Sequence, residues 1–166
     1  MIWGLTTHAF TLVHVALSLI GIFTGLVVVF GLLTARPLDG WSAIFLATTI
    51  ATSVTGFGFP FDHFEPPHVV GVISLAVLAM AVVARYGFHI RGSWRWIYVI
   101  SAIMALYLNV FVGVVQAFQK IPALHALAPK QSEPPFVIAQ LVVLAIFVIV
   151  GIFSTIRFTP ASLRTA

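Results

Sequence analysis

Six histidines and four carboxylates punctuate an otherwise apolar chain of 166 residues, and their placement is uneven. His8, His14, His63, His68 and His125, with Asp62, Glu65 and Glu133, fall at one set of ends of the apolar runs. Arg36, Arg85, Arg91, Arg95, Arg157 and Arg164, which are six of the eight basic residues, fall at the other. Imidazoles and carboxylates are ligands for zinc, copper and iron, and imidazoles serve as axial ligands of haem. In lipid such groups are costly and are retained for pairing or function. Together they read as one ligand-rich site near one surface, and no motif names a reaction.

The densest stretch runs Phe59-Pro60-Phe61-Asp62-His63-Phe64-Glu65-Pro66-Pro67-His68. Two prolines suit the start of a helix, which puts His68 in its first turn. There the positive end of the helix dipole disfavours a protonated imidazole, and the neutral form is the one that binds metals. Asp62, His63 and Glu65 precede it in a short loop that can fold over the mouth of a bundle, or can be wetted by water and headgroups. His14 lies about one turn below the outer edge of the first helix, where it can face His68, and His125 can join from the loop above. His8 is six residues from His14, on another face, and suits an interfacial anchor.

On the first helix Thr7, Thr11, His14, Ser18, Gly21 and Gly25 recur at spacings of three and four, so they share one face. Gly21 and Gly25 can admit a flat cofactor against the backbone, or simply form a seam of small residues against another helix. On the second, Thr48, Thr52 and Thr55 share a face, and threonines there can satisfy themselves on carbonyls one turn back. Asn109 and Gln116 lie seven apart on the fourth. Ser18, Thr52, Asn109 and Gln116 are the candidates to hydrogen-bond behind the ligands.

The surroundings of these groups follow from composition. The chain is 61% hydrophobic and 7% charged, with mean hydropathy +1.14, where a soluble domain carries roughly a quarter charged residues. The pI of about 10.1 reflects a small basic excess at one edge, which reads as orientation in a bilayer and not as nucleic-acid binding. Apolar runs near 9–33, 41–59, 68–86, 96–119 and 135–157 are long enough to cross about 30 Å of hydrocarbon. The second is the shortest and the most polar. Short loops predict a single all-α integral membrane domain over residues 1–166: an up-down bundle of five helices, four forming the core and the fifth, apolar on every face, packed outside.

The positive-inside rule places the arginine ends in the cytoplasm, as in a bacterial inner membrane, with the N-terminus outside and the C-terminus inside. Residues 1–9 carry no Lys or Arg, so the first helix is expected to be retained and not cleaved as a signal.

The chain holds no cysteine, which excludes disulfides, thiolate metal sites, c-type haem attachment and cysteine nucleophiles. No nucleotide-binding glycine loop, serine elbow or metalloprotease helix is present. The inner half of the spans offers hydroxyls but no acid or histidine, so a transporter's polar route through the bilayer is not expected.

Three readings follow. In the first, His14 and His68 ligate haem b, with Gly21 and Gly25 making room for the macrocycle, and electrons pass between quinone and an extracytoplasmic redox partner. In the second, His14, His63, His68, Asp62, Glu65 and His125 hold zinc, copper or iron for hydrolysis, oxygen chemistry or metal delivery. In the third, the chain is a non-enzymatic accessory subunit of a larger membrane complex. Catalytic residues are not identifiable from the sequence.

Overall fold

The computed structural model describes residues 1–60 and 66–159. These residues are 80% helical with no strand, and one isolated bridge, Ile2 to Leu5, precedes the first helix. The elements are α1 (Thr7–Leu33), α2 (Asp39–Gly56), α3 (Pro66–Val82), α4 (Trp94–Lys120), α5 (Pro122–Leu127) and α6 (Pro134–Arg157), with a π-helical turn at Val83–Gly87 continuing α3.

Local chemistry sets the ends. Thr6 caps α1 by accepting the Ala9 amide at 3.2 Å, which satisfies one of the free N–H groups of a first turn. Thr34 closes α1 on Phe30, Ala35 turns the chain at φ 59°, and Pro37 bars further helix. Asp39 opens α2 where a negative charge suits the helix dipole. Prolines occupy the first turns of α3, α5 and α6, where a missing N–H costs nothing. His89, Ile90 and Gly92 take positive φ and reverse the chain between α3 and α4.

Among the described residues, four helices are long and apolar enough to cross a membrane: Thr7–Leu33, Pro67–Gly87, Trp94–Lys120 and Pro134–Arg157. That is compatible with an integral membrane protein. At 18 residues, α2 is shorter, and Asp39 with Thr48, Thr49, Thr52, Ser53 and Thr55 makes it more polar. The six-residue α5 interrupts a stretch that the sequence reads as loop.

The packed core lies toward the arginine-bearing ends, built by Val28, Leu32, Phe45, Leu78, Tyr98 and Leu106. Close approach there depends on Gly25, where a Cβ would stand 2.6 Å from Leu106 and 2.9 Å from Phe45. Arg85 ties the same end together. It pairs with Asp39 and lies 5.0 Å over the Tyr98 ring, while Tyr98 donates to Ser42 at 3.1 Å. The Asp39 side chain is 85% exposed, so this pair contributes at most about 1 kcal/mol. The Arg85 contact with Tyr98, away from water, is worth as much or more. Arg95 donates to the Phe158 and Thr155 carbonyls at the end of α6 and stacks 4.2 Å from Trp96. Two of the six arginines thus close helix ends.

Helix α6 packs on α4 and α1, and Gln140 donates to the Phe111 carbonyl at 3.2 Å. Its most apolar stretch is only 6% buried, leaving Ile138, Leu141, Ile149 and Ile156 on the outside. Lipid is the solvent that such a surface fits.

Candidate functional site

Away from that core the four helices α1 to α4 separate around a cavity of about 770 Å³. Prosthetic groups and small ligands occupy cavities of about 300–1,000 Å³, whereas a bare ion needs far less room. The small residues Gly56, Gly71 and Gly113 lie along its wall.

His14 and His68 both line this cavity, and both stand against the end of α2. The His14 Nδ1 lies 2.8 Å from Thr55 Oγ1, and its ring meets the Phe59 ring edge-on at 5.2 Å. His68, 8% exposed, lies 5.8 Å from the Phe57 ring. Thr55 and Phe57 are two residues apart, so both imidazoles stand against one short stretch of chain at the end of α2.

Proton accounting assigns the His14 tautomer. The Thr55 hydroxyl lies 2.7 Å from the Ala51 carbonyl and 3.1 Å from that of Thr52. Its single proton goes to the backbone, as for most threonines inside helices. Toward His14 the Thr55 oxygen can then only accept, so Nδ1 carries the hydrogen and Nε2 keeps its lone pair. Among the described residues no other hydrogen bond engages the His14 ring. A donor held by an outer hydrogen bond on one nitrogen, with the other left bare, is the arrangement of a metal-ligating histidine.

Below the imidazoles lies an uncharged polar floor. Ser18 donates to Asn109 Oδ1 at 2.8 Å, and Asn109 Nδ2 reaches back to the Ser18 carbonyl at 3.4 Å. Thr49 also lines the cavity, is 2% exposed, and its hydroxyl has no partner among the described residues. Its neighbours Thr48 and Thr52 both bond back to carbonyls, at 2.7 and 2.9 Å. At the mouth stand Pro60, Pro67, Lys120 and Ile121. Gln116 is on the wall and donates to Gln119 at 3.3 Å, within a chain of amides that ends where Gln131 bonds the Val115 carbonyl.

Of the residues singled out from the sequence, His14, His68, Ser18, Thr52, Asn109 and Gln116 meet in this cavity. Gly21 and Gly25 lie outside its lining. A Cβ at Gly21 would stand 3.0 Å from Thr49 Oγ1 and 3.1 Å from Asn109 Nδ2, so both glycines serve the contact of α1 with α2 and α4. His125 is exposed on α5, and His8 is exposed in the first turns of α1. Asp62, His63 and Glu65 lie outside the described residues. Among the described residues no three His, Asp or Glu side chains gather closely enough to hold an ion.

Glu133 is engaged locally, accepting the Lys130 and Ser132 amides at 3.1 and 3.0 Å. Desolvation raises its carboxyl pKa, but bonds from the Glu133, Lys130 and Ser132 amides and the Lys130 charge lower it further, leaving it below the ordinary value. Thr49 and Lys120 line the cavity and Thr55 meets His14, placements that were not assigned from the sequence. The threonine face on α2 was visible there, but which helix it would meet was not.

Comparisons with protein-family models, with curated proteins and with solved structures each returned no match.

Proposed function

We propose that this chain is an integral membrane redox protein of the b-type cytochrome kind, holding one haem between His14 and His68 near the extracytoplasmic face. The observation that carries the reading is that two imidazoles line one cofactor-sized cavity, one of them with Nε2 freed by Thr55. Two imidazoles would suffice to hold a haem, whereas a bare ion would need further ligands beside them. Haem bound there supplies one-electron chemistry. The chain's own part is to present Nε2 of His14, to hold His68 against Phe57, and to surround both with apolar walls that limit water and so tune the potential.

The frame of the proposal is a five-helix up-down bundle in a bacterial inner membrane, N-terminus outside and C-terminus cytoplasmic. Contacts of Gly25 with Phe45 and Leu106, and of Gly21 with Thr49 and Asn109, support antiparallel neighbours. The arginine distribution supports the orientation. A single haem near one face suits electron exchange between membrane quinol and a partner outside.

A second reading keeps a zinc, copper or iron ion in the same place. It is favoured by the position of Pro60 and Pro67 at the mouth, since Asp62, His63 and Glu65 lie between them in sequence.

Purification from haem-replete cells tests the proposal. A Soret band with about one haem per chain is expected, and His14→Ala and His68→Ala each abolish it while circular dichroism keeps its helical content. Stoichiometric metal without a Soret band would select the second reading. Neither signal would overturn both and leave an accessory subunit of a membrane complex.

A further inference from the structure

We infer that Lys120 is the counter-charge for the carboxylates of the bound group, so that haem sits with its propionates toward the outer mouth. The inference rests on the haem reading above and adds an orientation to it.

Contacts of Gly25 with Leu106 and of Gly21 with Asn109 make α1 and α4 antiparallel, and Ser18 is bonded to Asn109. Four residues before Ser18 is His14, about 6 Å nearer the mouth than the polar floor. Lys120 is eleven residues after Asn109, about 16 Å from the floor and so about 10 Å beyond His14. A porphyrin's peripheral carboxylates have reach of that order from its centre.

Charge makes the two ends of the cavity unlike. Among the described lining residues Lys120 is the one charged side chain, and among the described residues it has no ion-pair partner. Gln116 and Gln119, its polar neighbours on α4, are occupied with each other and with Gln131. The floor offers the neutral groups of Ser18, Asn109 and Thr49. A ligand with an apolar body and an acidic edge therefore gains by placing that edge at Lys120. A lysine that merely anchors a helix end among headgroups would be indifferent to the ligand's charge.

The test compares retention of iron protoporphyrin IX and of its dimethyl ester by the purified protein, by following transfer to an excess of apomyoglobin. Loss of the natural haem is expected to be about fivefold faster in Lys120→Ala, a size suited to a partly exposed charge pair. Lys120→Arg should restore retention, and high salt should narrow the difference. The dimethyl ester should leave wild type and Lys120→Ala at the same rate. Equal loss of the natural haem from both proteins, with a normal Soret band, overturns the role of Lys120 and leaves the haem assignment standing. A wild-type protein with no Soret band overturns both.

Discussion

At the scale of single residues, the site turns on where one proton goes. Thr55 directs its hydroxyl hydrogen into its own helix and offers only an acceptor to His14. Deleting that acceptor frees the ring to turn or to change tautomer. On the proposed haem reading, Thr55→Val is therefore expected to lower haem affinity about 10- to 100-fold, the usual effect of losing the outer bond of a ligating histidine. Thr55→Ser keeps most of it. Haem titration of the two variants checks this, and equal binding by Val and Ser variants would show that the tautomer is set elsewhere. His14 and His68 were legible in the sequence because an imidazole in an apolar run needs a reason. Thr55 was visible only as part of a threonine face. Its role depends on the rotation of α2 against α1, a relation between residues 41 apart, and helices apolar on most faces do not announce which face meets which neighbour.

Among the elements, glycine has two uses that sequence spacing alone leaves undistinguished. Gly21 and Gly25 read equally as a helix seam or as space for a cofactor, and the contacts assign them to the seam. Gly113, which the sequence reading did not single out, lies on the cavity wall, where a Cβ would meet Ile22 at 3.7 Å. Substitution separates the two uses. Gly25→Ala forces a methyl into Leu106 and Phe45 and is expected to cost about 1–3 kcal/mol, as other overpacked interiors do. Gly113→Ala should leave stability nearly unchanged and act on cofactor retention instead. Denaturation in mixed detergent micelles measures the first effect and haem titration the second. Equal stability losses in the two variants would contradict the division. The long apolar helices themselves were legible from runs of about twenty residues. The π-helical turn that carries Arg85 was not; its guanidinium meets Asp39 and Tyr98, contacts between elements that the local sequence does not display.

As a whole molecule the protein is divided by height, with close packing at the arginine end and a cavity at the other. Such a division makes sense in a bilayer only if the cavity faces one known side, so orientation is the property on which its use depends. The chain has no cysteine, which makes each introduced one a clean reporter. Thr34 and Ser93 are exposed in the turns after α1 and before α4, and Pro60 and Lys130 are exposed at the opposite ends. Five crossings with the N-terminus outside predict that Pro60→Cys and Lys130→Cys react with a membrane-impermeant maleimide in intact spheroplasts. Thr34→Cys and Ser93→Cys should react only after permeabilisation. The comparison of Thr34 with Pro60 is the decisive one, since α2 alone separates them and α2 is the short, threonine-rich helix. If both are labelled from the same side, α2 does not cross and the count falls to four. If Thr34 and Ser93 are the pair exposed to the outside, the cavity opens to the cytoplasm, and a haem there would serve a partner on that side.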